Sequence, residues 1–160
     1  MPEIWKPHIV VSAVIEENGR FLLVEEREAD GSLTLNQPGG LLEPGESWQQ
    51  AVVREVLEES ACAFCPEGFL GVYHLNYRMK NGEDISYVRF AFTGKIGRRL
   101  DRPLDPEIVR TVWMTADEIA ACPERHRSAV VMQCIADYVT GQRAPLSLVS
   151  RYQFVDRTGS

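Results

Sequence analysis

The sequence predicts an α/β sandwich, a mixed β-sheet held between helices. Three observations predict it. β-Branched and aromatic runs occur early in the chain and again in its middle, where strands are expected. Two capping-box signatures mark helix starts, one mid-chain and one late. With 160 residues, 44% hydrophobic and 25% charged, the chain suits a single domain. At that length folding removes roughly 70% of the unfolded surface from water, so no disulfide or metal staple is needed.

In chain order, His8 to Ile15 is a β-branched strand closed by the turn Glu16-Glu17-Asn18-Gly19. Phe21 to Val24 follows at once, so the two are expected to pair as a hairpin. Leu33 to Asn36 is a short extended piece leading into Pro38-Gly39-Gly40. A helix is expected from Ser47 to Glu59, with Ser47 as N-cap and Gln50 as its capping-box partner. Phe69 to Tyr77 and Ile85 to Ile96 read as long strands joined by the turn Asn81-Gly82, and Val109 to Met114 as a last short strand. Between them Gly97 to Pro106 is charged and reads as a surface loop. Thr115-x-x-Glu118 starts a short helix, and Pro123 to Val139 is expected to be the longest helix, ending at Gly141. The domain is expected to span 1–160, with a core of about residues 5–146 and an unassigned tail at 147–160. No repeat or low-complexity segment interrupts it.

Acids outnumber bases 23 to 17, for a net charge of −6. That disfavours nucleic-acid polymers and anionic membranes as partners. No apolar run approaches the ~20 residues of a membrane span, and Met1 to Lys6 lacks a signal-peptide pattern. Cys62 and Cys65 form a lone C-x-x-C without the second pair of a zinc site. Reduced thiols in a cytoplasmic protein are the expectation. Monomer and homodimer are equally open.

The mid-chain helix breaks the usual rules. Glu55, Glu58 and Glu59 stand at i, i+3 and i+4, so they share one side. At about 100° per residue, Trp48 and Val52 fall on the same arc as Glu55 and Glu59. An apolar stripe thus becomes a carboxylate stripe that points inward. Like charges at i, i+4 destabilise a helix by roughly 0.2–0.5 kcal/mol, and acids in a last turn oppose the dipole by about 0.3–1 kcal/mol each. Arg54 alone cannot balance three acids. A divalent cation is the simplest missing partner, and an all-oxygen ligand set favours Mg²⁺ or Mn²⁺.

The wider pattern resembles a known motif. From Gly40 come five residues, Glu46, seven residues, then Arg54-Glu55-Val56-Leu57-Glu58-Glu59. This resembles the Nudix box, with Ala61 in place of the final glycine and Cys62 in place of the last aliphatic residue. A chance match of this extent is on the order of one in 10⁵. The resemblance implies a Nudix-type α/β/α sandwich with a loop–helix–loop active site. It implies Mg²⁺ (or Mn²⁺) bound by Glu55, Glu58 and Glu59, with Arg54 orienting the glutamates and Glu46 supporting the loop. Gly39 and Gly40 would let backbone approach a ligand. Water would attack a phosphorus, with Glu55 the favoured base. Members of the family often add an acid from outside the box. Glu107 is the favoured candidate here and Asp105 the other.

Outer segments resemble one bacterial branch of the family, the NudJ-type phosphatases: Lys6-Pro7-His8, Asn36-Gln37-Pro38, Trp113 with Ala116-x-Glu118, and Gly141-Gln142-Arg143-x-Pro145-Leu146. That branch implies orthophosphate release from nucleoside tri- and diphosphates and from hydroxymethylpyrimidine pyrophosphate. The alternatives are a dinucleotide pyrophosphohydrolase acting on ADP-ribose or diadenosine polyphosphates, and a non-catalytic ligand-sensing domain of the same fold. On the two long strands Tyr73, His74, Tyr77 and Arg89 are candidate substrate contacts, able to stack on a ring and read its edge. Packing within the sheet is the competing role for Tyr73 and for Tyr87 on the neighbouring strand.

Overall fold

The computed structural model describes residues 1–152, so the predicted tail falls largely outside the described residues. Eight strands and three helices follow one another: β1 His8–Val14, β2 Glu16–Glu17, β3 Arg20–Arg27, β4 Leu33–Asn36, β5 Gly39–Leu41, α1 Trp48–Ser60, β6 Cys62–Arg78, β7 Asp84–Arg99, β8 Ile108–Met114, α2 Ala116–Ala120 and α3 Val130–Val139. The larger sheet has the order β5-β1-β7-β6, with β1 and β7 parallel and the other pairs antiparallel. In the smaller, antiparallel sheet β8 lies along one edge of β3, and β2 and β4 share the other.

Two apolar clusters hold these layers. On one face of the large sheet, Ala51, Val52 and Val56 of α1 pack against Val11, Ala13, Phe69 and Phe92. Trp48 lies over Phe90 with ring centroids 4.2 Å apart. On the other face, Cys134 and Ile135 of α3 and Ile119 of α2 meet Val14, Leu23, Leu35 and Leu70. Each such large side chain contributes about 1.5–3 kcal/mol on burial. The expected sandwich is therefore present. Among the described residues no helix is long and apolar enough to cross a membrane.

The capping boxes form as the sequence predicts. Ser47 and Gln50 exchange side-chain and backbone bonds at the start of α1, and Thr115 and Glu118 do so at α2. At the end of α1, Ala61 takes the left-handed conformation, φ 59° and ψ 19°. A non-glycine residue there costs about 1–2 kcal/mol. The Ala61 methyl is fully buried and returns about 0.8 kcal/mol. Alanine thus substitutes for the box glycine at small net expense.

Three expectations fail for tertiary reasons. β1 does not pair with β3. Both edges of β1 are taken, by β5 and β7, and the chain crosses to the other sheet at Ile15, whose carbonyl accepts from Leu22. The tight hairpin is β2–β3 instead. Gly97 to Arg99 is strand, not loop: β6 starts at Cys62, directly after α1, and Cys62 pairs with Arg99. Three register shifts bend this ribbon and erase its alternation. The last helix begins at Val130 rather than Pro123. Pro123–Arg125 is one 3₁₀ turn, and His126 and Arg127 then bond to the Leu35 backbone of β4.

Candidate active site

α1 carries its acids on the side that faces β5. Glu55 and Glu59 are buried, as are Val52 and Val56, so the carboxylate stripe does continue the apolar one. Two glycines of β5 make room for it. The Gly39 N–H donates to Glu59 Oε2 at 2.9 Å. A Cβ on Gly40 would lie 2.6 Å from the Glu55 carboxylate. The glycines therefore let backbone approach the chain's own acids.

Arg54 organises the rest. Its Nε donates to Glu46 Oε1 at 2.6 Å, Nη1 to Glu55 at 2.7 Å and Glu58 at 3.1 Å, and Nη2 to Glu46 Oε2 and the Leu41 carbonyl, both at 3.0 Å. All five N–H groups of the fork are used. Glu46 also accepts from the Glu43 N–H at 3.0 Å, tying the loop to the helix. The Arg54 hydrogen bond holds the Glu46 carboxyl below its usual range, and that bond also leads in raising Arg54.

The inner acids behave differently. Burial raises Glu55 against the pull of Arg54. Burial also pushes Glu59 up to about 9, and Glu26, Glu55 and Asp105 add to it. Asp105 is the outer acid felt by both Glu55 and Glu59, and its N–H donates to the Glu58 carbonyl at 3.0 Å. Glu107 is exposed and meets the fold through its carbonyl, which accepts from Arg27. The structure thus brings Asp105 to the helix rather than the favoured Glu107. Glu26 was not singled out from the sequence. It lies buried on β3, with Arg127 Nη1 2.9 Å away. The available signal was two adjacent acids, Glu25 and Glu26, closing an otherwise apolar strand.

Among the described residues, no three His, Cys, Asp or Glu side chains stand in a ready-made ligand arrangement. Arg54 engages Glu55 and Glu58, and Gly39 engages Glu59. The donor set still fits a hard divalent cation. Glu55, Glu58, Glu59 and Asp105 offer oxygen alone, and the one cation among them, Arg54, leaves Glu59 without a charged partner.

The four strand candidates separate. Tyr73 donates to Asp137 of α3 at 2.7 Å, and burial raises its hydroxyl, so it packs the sheet against the helix. His74 is exposed and edges against Trp5 at 5.6 Å. Tyr77 and Arg89 lie on the face that α3 covers. Tyr77 meets Tyr87 edge-on at 5.6 Å, and Arg89 donates to Gln37 Oε1 at 3.0 Å and Asn36 Oδ1 at 3.1 Å. Two open clefts of about 420 Å³ lie elsewhere, lined by Glu67, Arg143 and Pro145 in one case and by Pro7, Leu41 and Pro44 in the other. Neither includes the helix acids.

Known proteins share the sequence pattern and the fold. The family model of the NUDIX domain matches residues 6–133. Phosphatase NudJ of Escherichia coli K12 is 31% identical over 152 residues, spanning 94% of this chain and 95% of that protein. The solved structure of a NUDIX hydrolase from Nitrosomonas europaea is 47% identical, covers 92% of this chain and 98% of its own, and superposes with a TM-score of 0.87. The NUDIX domain of Shewanella oneidensis NrtR, solved with ADP ribose, shares the fold at 17% identity and TM-score 0.65, over 85% of this chain and 90% of that one. With the carboxylate helix, its arginine hub and its glycine strand in place, the chain belongs to the Nudix family and is a hydrolase of phosphoanhydride bonds.

Proposed function

We propose that the chain is a Mg²⁺-dependent phosphatase of small phosphorylated metabolites. Nucleoside tri- and diphosphates and hydroxymethylpyrimidine pyrophosphate are its substrates, and orthophosphate is the released product. One observation carries the reading: the inward carboxylate stripe of α1, closed over by Gly39 and Gly40 and organised by a single arginine. The full-length similarity to phosphatase NudJ supports the substrate class.

Glu55, Glu58 and Glu59 would hold the cation, with Asp105 as the outer acid. When bound, the cation neutralises phosphoryl oxygens and acidifies an attacking water. The chain's own residues do the remaining work. Arg54 fixes the carboxylates of Glu55 and Glu58 by charge-assisted bonds. Burial raises the proton affinity of Glu55, which suits a group that takes a proton from water. Glu46 and Gly39 hold the loop and the inner acid in position. The four free thiols support a reducing, cytoplasmic setting.

A substrate panel with Mg²⁺ tests the reading. Orthophosphate is the expected product from nucleoside diphosphates and triphosphates. Cleavage of ADP-ribose to a nucleoside monophosphate, with no orthophosphate from any substrate, would replace it with the dinucleotide activity.

A further inference from the structure

Arg89 is 8% exposed, yet among the described residues no carboxylate stands within ion-pair distance of it. Its two Nη groups donate to neutral amide oxygens of Gln37 and Asn36. Its Nε–H is buried without a partner. Burying an uncompensated charge is costly. Elsewhere this fold avoids it: Arg110 and Arg125 meet Glu25, Arg127 meets Glu26, and Arg54 meets four glutamates. Arg89 is the exception, and it is held in place. Gln37 Nε2 donates to the Val131 carbonyl at 2.8 Å, which fixes the Gln37 oxygen toward the guanidinium. Neutral amides thus aim the charge without cancelling it.

The surroundings of Arg89 point to a ligand of two parts. Tyr87 is two residues before Arg89 on β7 and so shares its face. Tyr77 meets Tyr87 edge-on, and His8 stacks on it at 5.1 Å. In the other direction, Asn36 pairs with Val24 of β3, two residues before the buried Glu26. Gln37 leads through Pro38 to the Gly39 N–H that holds Glu59. Arg89 thus shares a strand with Tyr87 and, through Gln37, is tied to the segment whose Gly39 holds Glu59.

From this geometry we infer that Arg89 binds the phosphoryl group left on the organic half of the substrate, while Tyr77 and Tyr87 receive a planar ring. The inference rests on the phosphoanhydride reading above and adds which side of the scissile bond is recognised. A guanidinium fork matches phosphate oxygens in shape and charge, whereas a neutral ring carbonyl would leave the buried charge unbalanced. Tyrosine faces accept rings of any identity, so Arg89 selects for an organic phosphate over a bare ring.

The test uses the full chain in EDTA, titrated with one purine and one pyrimidine nucleoside monophosphate and with the parent nucleosides. A proton–nitrogen correlation spectrum follows the arginine Nε–H signals, and Arg89→Lys identifies that of Arg89. The monophosphates are expected to shift the Arg89 signal saturably, and the nucleosides to leave it in place. Arg89→Met is expected to weaken monophosphate binding by about tenfold or more, the loss of a charge-assisted contact. It is also expected to raise KM for the nucleoside diphosphate by a similar factor, with kcat changed less. An unshifted Nε–H at saturating monophosphate, or an equal shift with nucleoside, overturns the inference. If Arg89→Met does not fold, the wild-type titration decides alone. Failure of the wild type to hydrolyse any phosphoanhydride overturns the functional reading instead, and the titration still judges Arg89.

Discussion

Gly39 and Gly40 are neighbours required for different reasons, and substitution separates them. A Cβ on Gly39 would press into the Val11 carbonyl and lie 2.8 Å from Ser12 Cα, both backbone. Gly39→Ala is expected to destabilise the fold by about 1–3 kcal/mol, as overpacking does. On Gly40 the obstacle is the end of the Glu55 side chain, which can swing away. Gly40→Ala is therefore expected to melt near the wild type while losing turnover by about a hundredfold or more, through displacement of a carboxylate that works only in place. Thermal melts and kcat measured side by side check the contrast. At this scale the box residues were legible because their chemistry conflicts with helix stability, and such conflict shows in sequence alone. The ribbon side chains were less legible. Alternation separates His74 from Tyr73 and Tyr77, but only the approach of α3 tells that Tyr73 is occupied by Asp137. Asp105 and Glu107 differ by two residues, and only the path of the chain along the end of α1 brings the first to the acids.

Among the elements, those whose signals are local formed as predicted. α1 and α2 carry their own caps, and the β6–β7 turn lies at Asn81-Gly82. Elements defined by competition did not. A strand buried on both faces gives no hint of which neighbour it takes, so β1 joins β7 and not β3. The segment before α3 gives up helix to reach β3 and β4, and charge pairs accompany that exchange. Glu25 is buried, and Arg110 and Arg125 bond to its two oxygens at 3.1 and 2.9 Å. The Arg110 bond leads in holding its carboxyl below the ordinary 4.5. A lowered folded-state pKa gives stability that is present above the unfolded value and lost as pH falls through the folded one. The clasp should thus hold fully above the ordinary carboxylate value of 4.5 and weaken progressively as the pH falls below it. Glu25→Gln is expected to lower the neutral melting temperature and flatten its decline on the acid side of that value. A series of melts across pH reads this out, and an acid limb as steep as that of the wild type would remove Glu25 from the account.

For the molecule as a whole, the charge is unevenly spread. Between Glu43 and Glu59, five acids face one arginine and account for −4 of the net −6. The remainder is nearly balanced, so the acidity belongs to one site rather than to the surface at large. If a cation binds there, Mg²⁺ at ten times its Kd is expected to stabilise the fold by about 1.4 kcal/mol, a melting shift of roughly 3–5 °C. Glu58→Gln and Glu59→Gln should abolish both that shift and turnover. In EDTA, Glu59→Gln is expected to melt at or above the wild type, since it removes a buried carboxylate whose protonation burial favours. Equal Mg²⁺ shifts in wild type and both variants would move the cation elsewhere. The fully committed fork of Arg54 bears on the same site. The folded chain brings Glu46, Glu55 and Glu58 together around an internal counter-ion. The proposed divalent ion would then take over carboxylates that Arg54 already holds in place. A lysine has three N–H groups where this site uses five, so it could not hold the same set of partners.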